Sequence, residues 1–133
     1  MKRTDHLRDS ALKARAHAHA PFSHFKVGAA LLAEDGTVYT GCNVENSTYG
    51  LTVCAERVAI FKAISEGARR FKAIAVAADT PRLTPPCGAC RQLIWEFCGD
   101  VPILLTNLDG KTRTYRTKKL LPDPFDVQFL EEK

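Results

Sequence analysis

The chain has 133 residues, is 45% hydrophobic and carries a net charge of +4, which suits one domain over 1–133 with its own core, and no second is expected. No unbroken apolar run approaches the ~20 residues of a membrane span, and Met1-Lys2-Arg3-Thr4-Asp5-His6 opens on charge, so a soluble, unprocessed cytoplasmic protein is expected. The charge is modest for this length and calls for neither a nucleic acid nor a membrane as partner.

Leu7, Ala11, Ala14 and Ala18 recur at helical spacing between Leu7 and His19, predicting a helix that Pro21 should end. Lys26 to Leu32 and Thr37 to Thr40 flank Glu34-Asp35-Gly36, and Asp-Gly between apolar segments is a hairpin signal. Cys54 to Glu66 is apolar on most faces, with Gly67 placed to cap it, and reads as a buried helix. Phe71 to Ala78 is almost continuously apolar, as a strand covered on both faces would be. A proline-rich turn, Pro81 to Pro86, leads into a helix from Gly88 to Cys98 that Gly99 stops. Pro102 to Thr106 is a further strand, turned back through Asn107-Leu108-Asp109-Gly110. The basic stretch Lys111 to Lys119 then alternates charged and uncharged residues in its first half, as a strand with one wet face does. This order predicts an α/β fold, a three-layer α-β-α sandwich around a mixed five-stranded sheet, with an extended tail over 126–133.

Five cysteines do not pair evenly, and metal binding or burial explains them better than disulfides. Cys42 and Cys98 read as packed thiols. Cys54-Ala55-Glu56 and Pro86-Cys87-Gly88-Ala89-Cys90 are different: three thiolates with one position left for water, and a carboxylate beside them, are what a catalytic zinc requires. Cys87 and Cys90 share one face at a helix start, and Cys54 opens the other motif helix, so two positive dipole ends can converge on the sulfurs. Arg57 and Arg91 each occupy a first helical turn, where a cation opposes the dipole. Both are therefore expected to donate to ligand sulfur and offset the charge of three thiolates. His17 and His19 are two apart and make a poor metal pair.

The pairing of a Cys-x-Glu with a distant Pro-Cys-x-x-Cys matches the all-cysteine form of the zinc nucleobase deaminase signature. From about Pro21 to Phe125 the chain resembles the small, homotetrameric class of cytidine deaminases. The resemblance is carried by Pro21-Phe22-Ser23-His24-Phe25-Lys26-Val27-Gly28-Ala29-Ala30-Leu31, by Gly41-Cys42-Asn43-Val44-Glu45-Asn46, by Cys54-Ala55-Glu56-Arg57-Val58-Ala59-Ile60, and by Pro86-Cys87-Gly88-Ala89-Cys90-Arg91-Gln92. It implies one zinc per chain on Cys54, Cys87 and Cys90, Glu56 as proton shuttle, and deamination of cytidine and deoxycytidine in pyrimidine salvage. It further implies Asn43, Val44 and Glu45 at the sugar, the Ala55 N–H on the base carbonyl, and Phe25 against the pyrimidine. Tyr49 and Phe125 would arrive from neighbouring subunits of a tetramer. Phe22 stands where the family often has Tyr, and Asp123-Pro124 is inserted before Phe125.

Two other readings are weighed against this one. A structural zinc module would close its site with a fourth protein ligand, for which no Cys or His falls at a suitable short spacing. A deaminase of a nucleoside antibiotic such as blasticidin would share the zinc motif, but Asn43 with Glu45 favours an ordinary sugar.

Overall fold

The computed structural model describes residues 3–131; Met1 and Lys2 of the N-terminal segment and Glu132 and Lys133 of the tail lie outside the described residues. Along this span run helix α1 (Arg3–Arg15), strands β1 (Val27–Ala33) and β2 (Val38–Cys42), helix α2 (Ala55–Ser65), strand β3 (Phe71–Ala78), helix α3 (Gly88–Cys98), strands β4 (Pro102–Thr106) and β5 (Thr112–Arg116), and two short helices, α4 (Thr117–Leu120) and α5 (Val127–Glu131). The strands form one sheet in the order β2-β1-β3-β4-β5. Only β3 and β4 are parallel, because α3 crosses over between them; every other neighbouring pair is antiparallel.

The predicted mixed five-stranded α/β sandwich is the observed fold. One layer is α1, whose Leu7 and Ala11 lie on Ala30, Leu32, Ala73, Ala75, Ala77 and Leu104. This layer is built from small residues and is correspondingly thin. A Cβ on Gly28 would come within 2.0 Å of the Ala11 carbonyl oxygen, so only glycine lets α1 lie this close to β1. The opposite face carries the larger cluster, where Ala59, Ile60 and Ala63 of α2 and Ile94 of α3 meet Leu31, Ile74, Val76, Ile103 and Leu105. Helix α2 is buried along one side only: Phe61 is exposed and meets Phe97 edge-on at 6.3 Å between ring centroids.

Three local expectations are corrected. The first helix ends at Arg15, before Pro21 can stop it, and passes through a looser turn in which Ala16, His17 and Ala18 donate to carbonyls three residues back. His19 then bridges Val44, donating to the Asn43 carbonyl and accepting from the Glu45 N–H. Pairing with a distant edge outweighs helix continuation there. The basic strand ends at Arg116, because Thr117 is buried and exchanges hydrogen bonds with the Val101 N–H and carbonyl before α4 begins. The tail expected to be extended folds into α5 over its described part.

Candidate metal and nucleoside site

Both motif helices begin on a cysteine. Cys54 caps α2 and Cys87 caps α3, each with extended backbone and neither spending its side chain on a capping hydrogen bond. Ser or Asp at these positions would satisfy the helix N–H groups; cysteine leaves a sulfur beside two positive helix ends. Cys90, one turn into α3, is fully buried. The three Sγ atoms lie within 4.8 Å of one another. Sulfurs on a tetrahedral zinc at about 2.3 Å stand ~3.8 Å apart, so the donor set fits zinc in chemistry and in spacing. Among the described residues this is the one such cluster.

Hydrogen bonding and charge set the sulfurs of Cys54 and Cys90 apart. The Cys90 thiol donates toward Cys54, holding the Cys54 sulfur as thiolate well below the usual thiol range, with the Arg57 guanidinium adding to the effect. Cys90, as the donor of that hydrogen bond and in a buried position, is pushed up. Arg57 reaches Cys54 Sγ at 3.5 Å through Nη2, while its buried Nε has no partner. This is the expected place for a cation that offsets sulfur charge. Arg91 is placed differently from the expectation. Its Nε donates to the Pro86 carbonyl at 2.7 Å and its Nη1 to the Leu120 carbonyl at 3.0 Å. Arg91 therefore ties the turn before Cys87 to the end of α4, because two backbone carbonyls without strand or helix partners are stronger acceptors for it than a sulfur.

Glu56, in the first turn of α2, is 4% exposed. Burial, and secondarily the Cys54 charge, push its carboxyl up to about 7. A carboxyl in that range can both take and return a proton near neutral pH. The Ala55 N–H belongs to the same turn, whose N–H groups have no acceptor within the helix.

Above the cluster opens a cavity of about 320 Å³, lined by Phe25, Asn43, Glu45, Ala55 and Glu56 with Cys54 and Cys87. Residues from four separated segments meet here. Asn43 holds its own wall, accepting the Val27 N–H at 2.9 Å and donating to the Phe25 carbonyl at 2.8 Å. Val44 is exposed at the bridges to His19 and Val53 and does not line the cavity. Tyr49 and Phe125 are not brought to this cavity within one chain. Tyr49, with a positive φ of 55°, is 67% exposed and packs edge-on against Phe22. Phe125 stacks on Phe129, and its backbone is held on α3 by Gln92 Nε2. Sequence reasoning missed Ser23, Thr52, Thr84 and Pro85 as lining residues. Ser23 lies two residues before Phe25, and Thr84-Pro85 belongs to the proline-rich turn before Cys87. A larger cavity, about 420 Å³ between Pro81–Pro85 and β5, contains neither the cysteine cluster nor Glu56.

The family described as "Cytidine and deoxycytidylate deaminase zinc-binding region" matches residues 1–105. The chain belongs to that family. It is 59% identical over 119 residues to a cytidine deaminase of Sporosarcina psychrophila, covering 89% of this chain and 88% of the relative. It superposes on the crystal structure of a cytidine deaminase from Burkholderia pseudomallei with a TM-score of 0.89 at 48% identity, covering 94% of this chain and all of the other. Similarity to a blasticidin-S deaminase of Bacillus cereus is lower, 33% over 105 residues, covering 72% of this chain and 74% of the relative. As a member of the cytidine deaminase family the chain is an enzyme with a three-cysteine zinc centre. Among the described residues no helix is long and apolar enough to cross a membrane.

Proposed function

We propose that the chain, as one catalytic domain, hydrolyses cytidine and deoxycytidine to uridine and deoxyuridine with release of ammonia, as a cytoplasmic enzyme of pyrimidine salvage. The observation that carries this reading is Glu56. A carboxyl poised at about 7 stands in the same cavity as two of the three clustered cysteines, with a route to solvent.

Zinc held by Cys54, Cys87 and Cys90 would supply a Lewis acid able to bring the pKa of a water down to about 7. Glu56 takes a proton from the attacking water and passes it to N3 of the ring as the oxygen bonds to C4. It then takes the proton of the new C4 hydroxyl and delivers it to the exocyclic nitrogen; the C4–N bond breaks, ammonia leaves, and a C4 carbonyl remains. Burial keeps Glu56 from trading that proton with bulk water. Arg57 holds its charge against the Cys54 sulfur. The Ala55 N–H suits the base carbonyl, Phe25 the face of the pyrimidine, and Asn43 and Glu45 the sugar, while Val44 stands outside the cavity.

Tyr49 and Phe125, exposed on their own chain, suit a homotetramer in which each completes a neighbour's cavity. The test is direct: purified protein with cytidine and deoxycytidine, following ammonia release and the ultraviolet change, with and without a zinc chelator, and with blasticidin S in parallel. Chelator-sensitive turnover of the nucleosides is expected. Zinc-loaded protein that turns over neither nucleoside would overturn the reading, and light scattering in the same buffer tests the tetramer.

A further inference from the structure

The turn that carries Phe25 is fastened to Glu45 by one hydroxyl and two backbone donors. Glu45 Oε1 accepts the N–H groups of Phe22 and Ser23, each at 3.1 Å. Its other oxygen accepts the Ser23 hydroxyl. The same hydroxyl oxygen accepts the Phe25 N–H at 3.0 Å. A serine has one proton to give, and here that proton goes to the carboxylate while the oxygen serves Phe25, so both ends are set by one group. His24 sits between them with φ 58°, its N–H on the Ala20 carbonyl at 3.0 Å, and closes the turn. Ser23, Phe25 and Glu45 all line the 320 Å³ cavity.

We propose that Ser23 is a positioning residue for substrate recognition: it sets the Glu45 carboxylate for a sugar hydroxyl and locks that setting to the place of Phe25. The inference rests on the roles proposed above for Phe25 and Glu45, and concerns a side chain to which those roles assign nothing. An ionised carboxylate offers roughly four lone-pair sites, and the Phe22–Ser23 turn takes three of them. What remains is an acceptor with one open direction. Such an acceptor disfavours a ligand that lacks the matching hydroxyl, because the one remaining lone pair of the carboxylate then meets no donor. Without the Ser23 hydroxyl, the second oxygen loses its partner while the two N–H groups keep the first; the carboxylate can then turn about that anchor and accept water, and both affinity and discrimination fall.

The test compares wild type, Ser23→Ala and Ser23→Thr on cytidine, 2′-deoxycytidine and 3′-deoxycytidine. Ser23 lies on an exposed turn, so its truncation leaves the core untouched; melting temperature and zinc content serve as controls. Ser23→Ala is expected to raise KM for cytidine about 10- to 100-fold, the range for a hydrogen bond to a charged group, with kcat within about threefold. It should also narrow the preference between cytidine and the weaker deoxy analogue. Ser23→Thr, which keeps the hydroxyl, should recover most of the loss. In a Ser23→Ala/Glu45→Gln cycle the losses should be far from additive, as the two groups act through one contact. Unchanged KM and selectivity in Ser23→Ala, no rescue by threonine, or additive losses in the cycle would each overturn the role of Ser23 while leaving the deaminase reading intact. Absence of turnover in wild type would overturn the deaminase reading, and this inference with it.

Discussion

Gly41 lies directly against Ala55: a Cβ built on Gly41 would meet the Ala55 carbonyl oxygen at 2.5 Å and the Ala59 N at 2.6 Å. The first turn of α2, with Cys54 as its cap and Glu56 inside it, therefore rests on bare backbone of β2. Gly41→Ala should force that turn away from the sheet. Overpacking a well-packed site costs about 1–3 kcal/mol, and here the obstructing atoms are main chain, so the upper end is expected. Bound zinc should fall together with the melting temperature. Gly88→Ala, where an added Cβ meets nothing within 4 Å, is the control and should keep both. Full zinc content and an unchanged melting temperature in Gly41→Ala would refute the packing account.

Glu56→Gln should keep zinc and fold while turnover drops by at least ~10²–10⁴-fold, the usual share of a positioned acid-base group. The carboxyl is buried and pushed up to about 7, so an uncharged amide suits its surroundings and stability should not suffer. Near-normal turnover in a zinc-loaded variant would exclude Glu56 as the proton carrier.

The two motif arginines should separate experimentally. Arg57→Ala removes a cation from Cys54 and leaves more negative charge at the metal, so the acid limb of the pH–rate profile should move to higher pH. Arg91→Ala instead frees the Pro86 and Leu120 carbonyls and loosens the Cys87 turn. Its expected effect is weaker zinc retention, about 10–100-fold, with the profile in place. Identical behaviour of the two variants would contradict the geometry.

Asp100 anchors α4 from a distance: its Oδ1 accepts the Lys118 N–H at 3.0 Å, and Arg116 lies beside it. That backbone donor, aided by Arg116, holds the carboxyl below its ordinary 3.8. A folded-state pKa lowered in this way contributes stability above the unfolded value and loses it as pH falls through the folded one. Asp100→Asn should thus be less stable than wild type at neutral pH, with the difference closing below about pH 3.8. Urea melts at several pH values measure this, and a gap that persists into acid would argue for packing rather than charge.

Thiol labelling should divide the cysteines by environment. Burial pushes Cys98 up to about 12, so it should resist alkylation at pH 8 until the protein unfolds. Cys54 and Cys87, both lining the open cavity, should become reactive when a chelator strips zinc. Mass spectrometry of the labelled peptides reads both outcomes; early labelling of Cys98 would mean that α3 is not seated as described.

Short-range chemistry was legible from the amino-acid order. Cys54, Glu56, Cys87 and Cys90 could be named because a metal and its base demand particular atoms at helical spacing, and the structure gathers the three sulfurs as expected. Phe71–Ala78, Gly88–Cys98 and Pro102–Thr106 were bounded correctly because glycine, proline and long apolar runs are local signals. What only the tertiary structure decided were partnerships between distant residues. The early end of α1 depends on His19 meeting Val44, the partner of Arg91 on Leu120 lying 29 residues away, and the fixing of Glu45 on Ser23 lying 22 residues before it. The burial of Thr117 against Val101 likewise ended β5 and began α4. A hydrogen bond is chosen by which donor and acceptor the folded chain brings within about 3 Å, and one-dimensional spacing carries that information only when both lie on the same helix or turn.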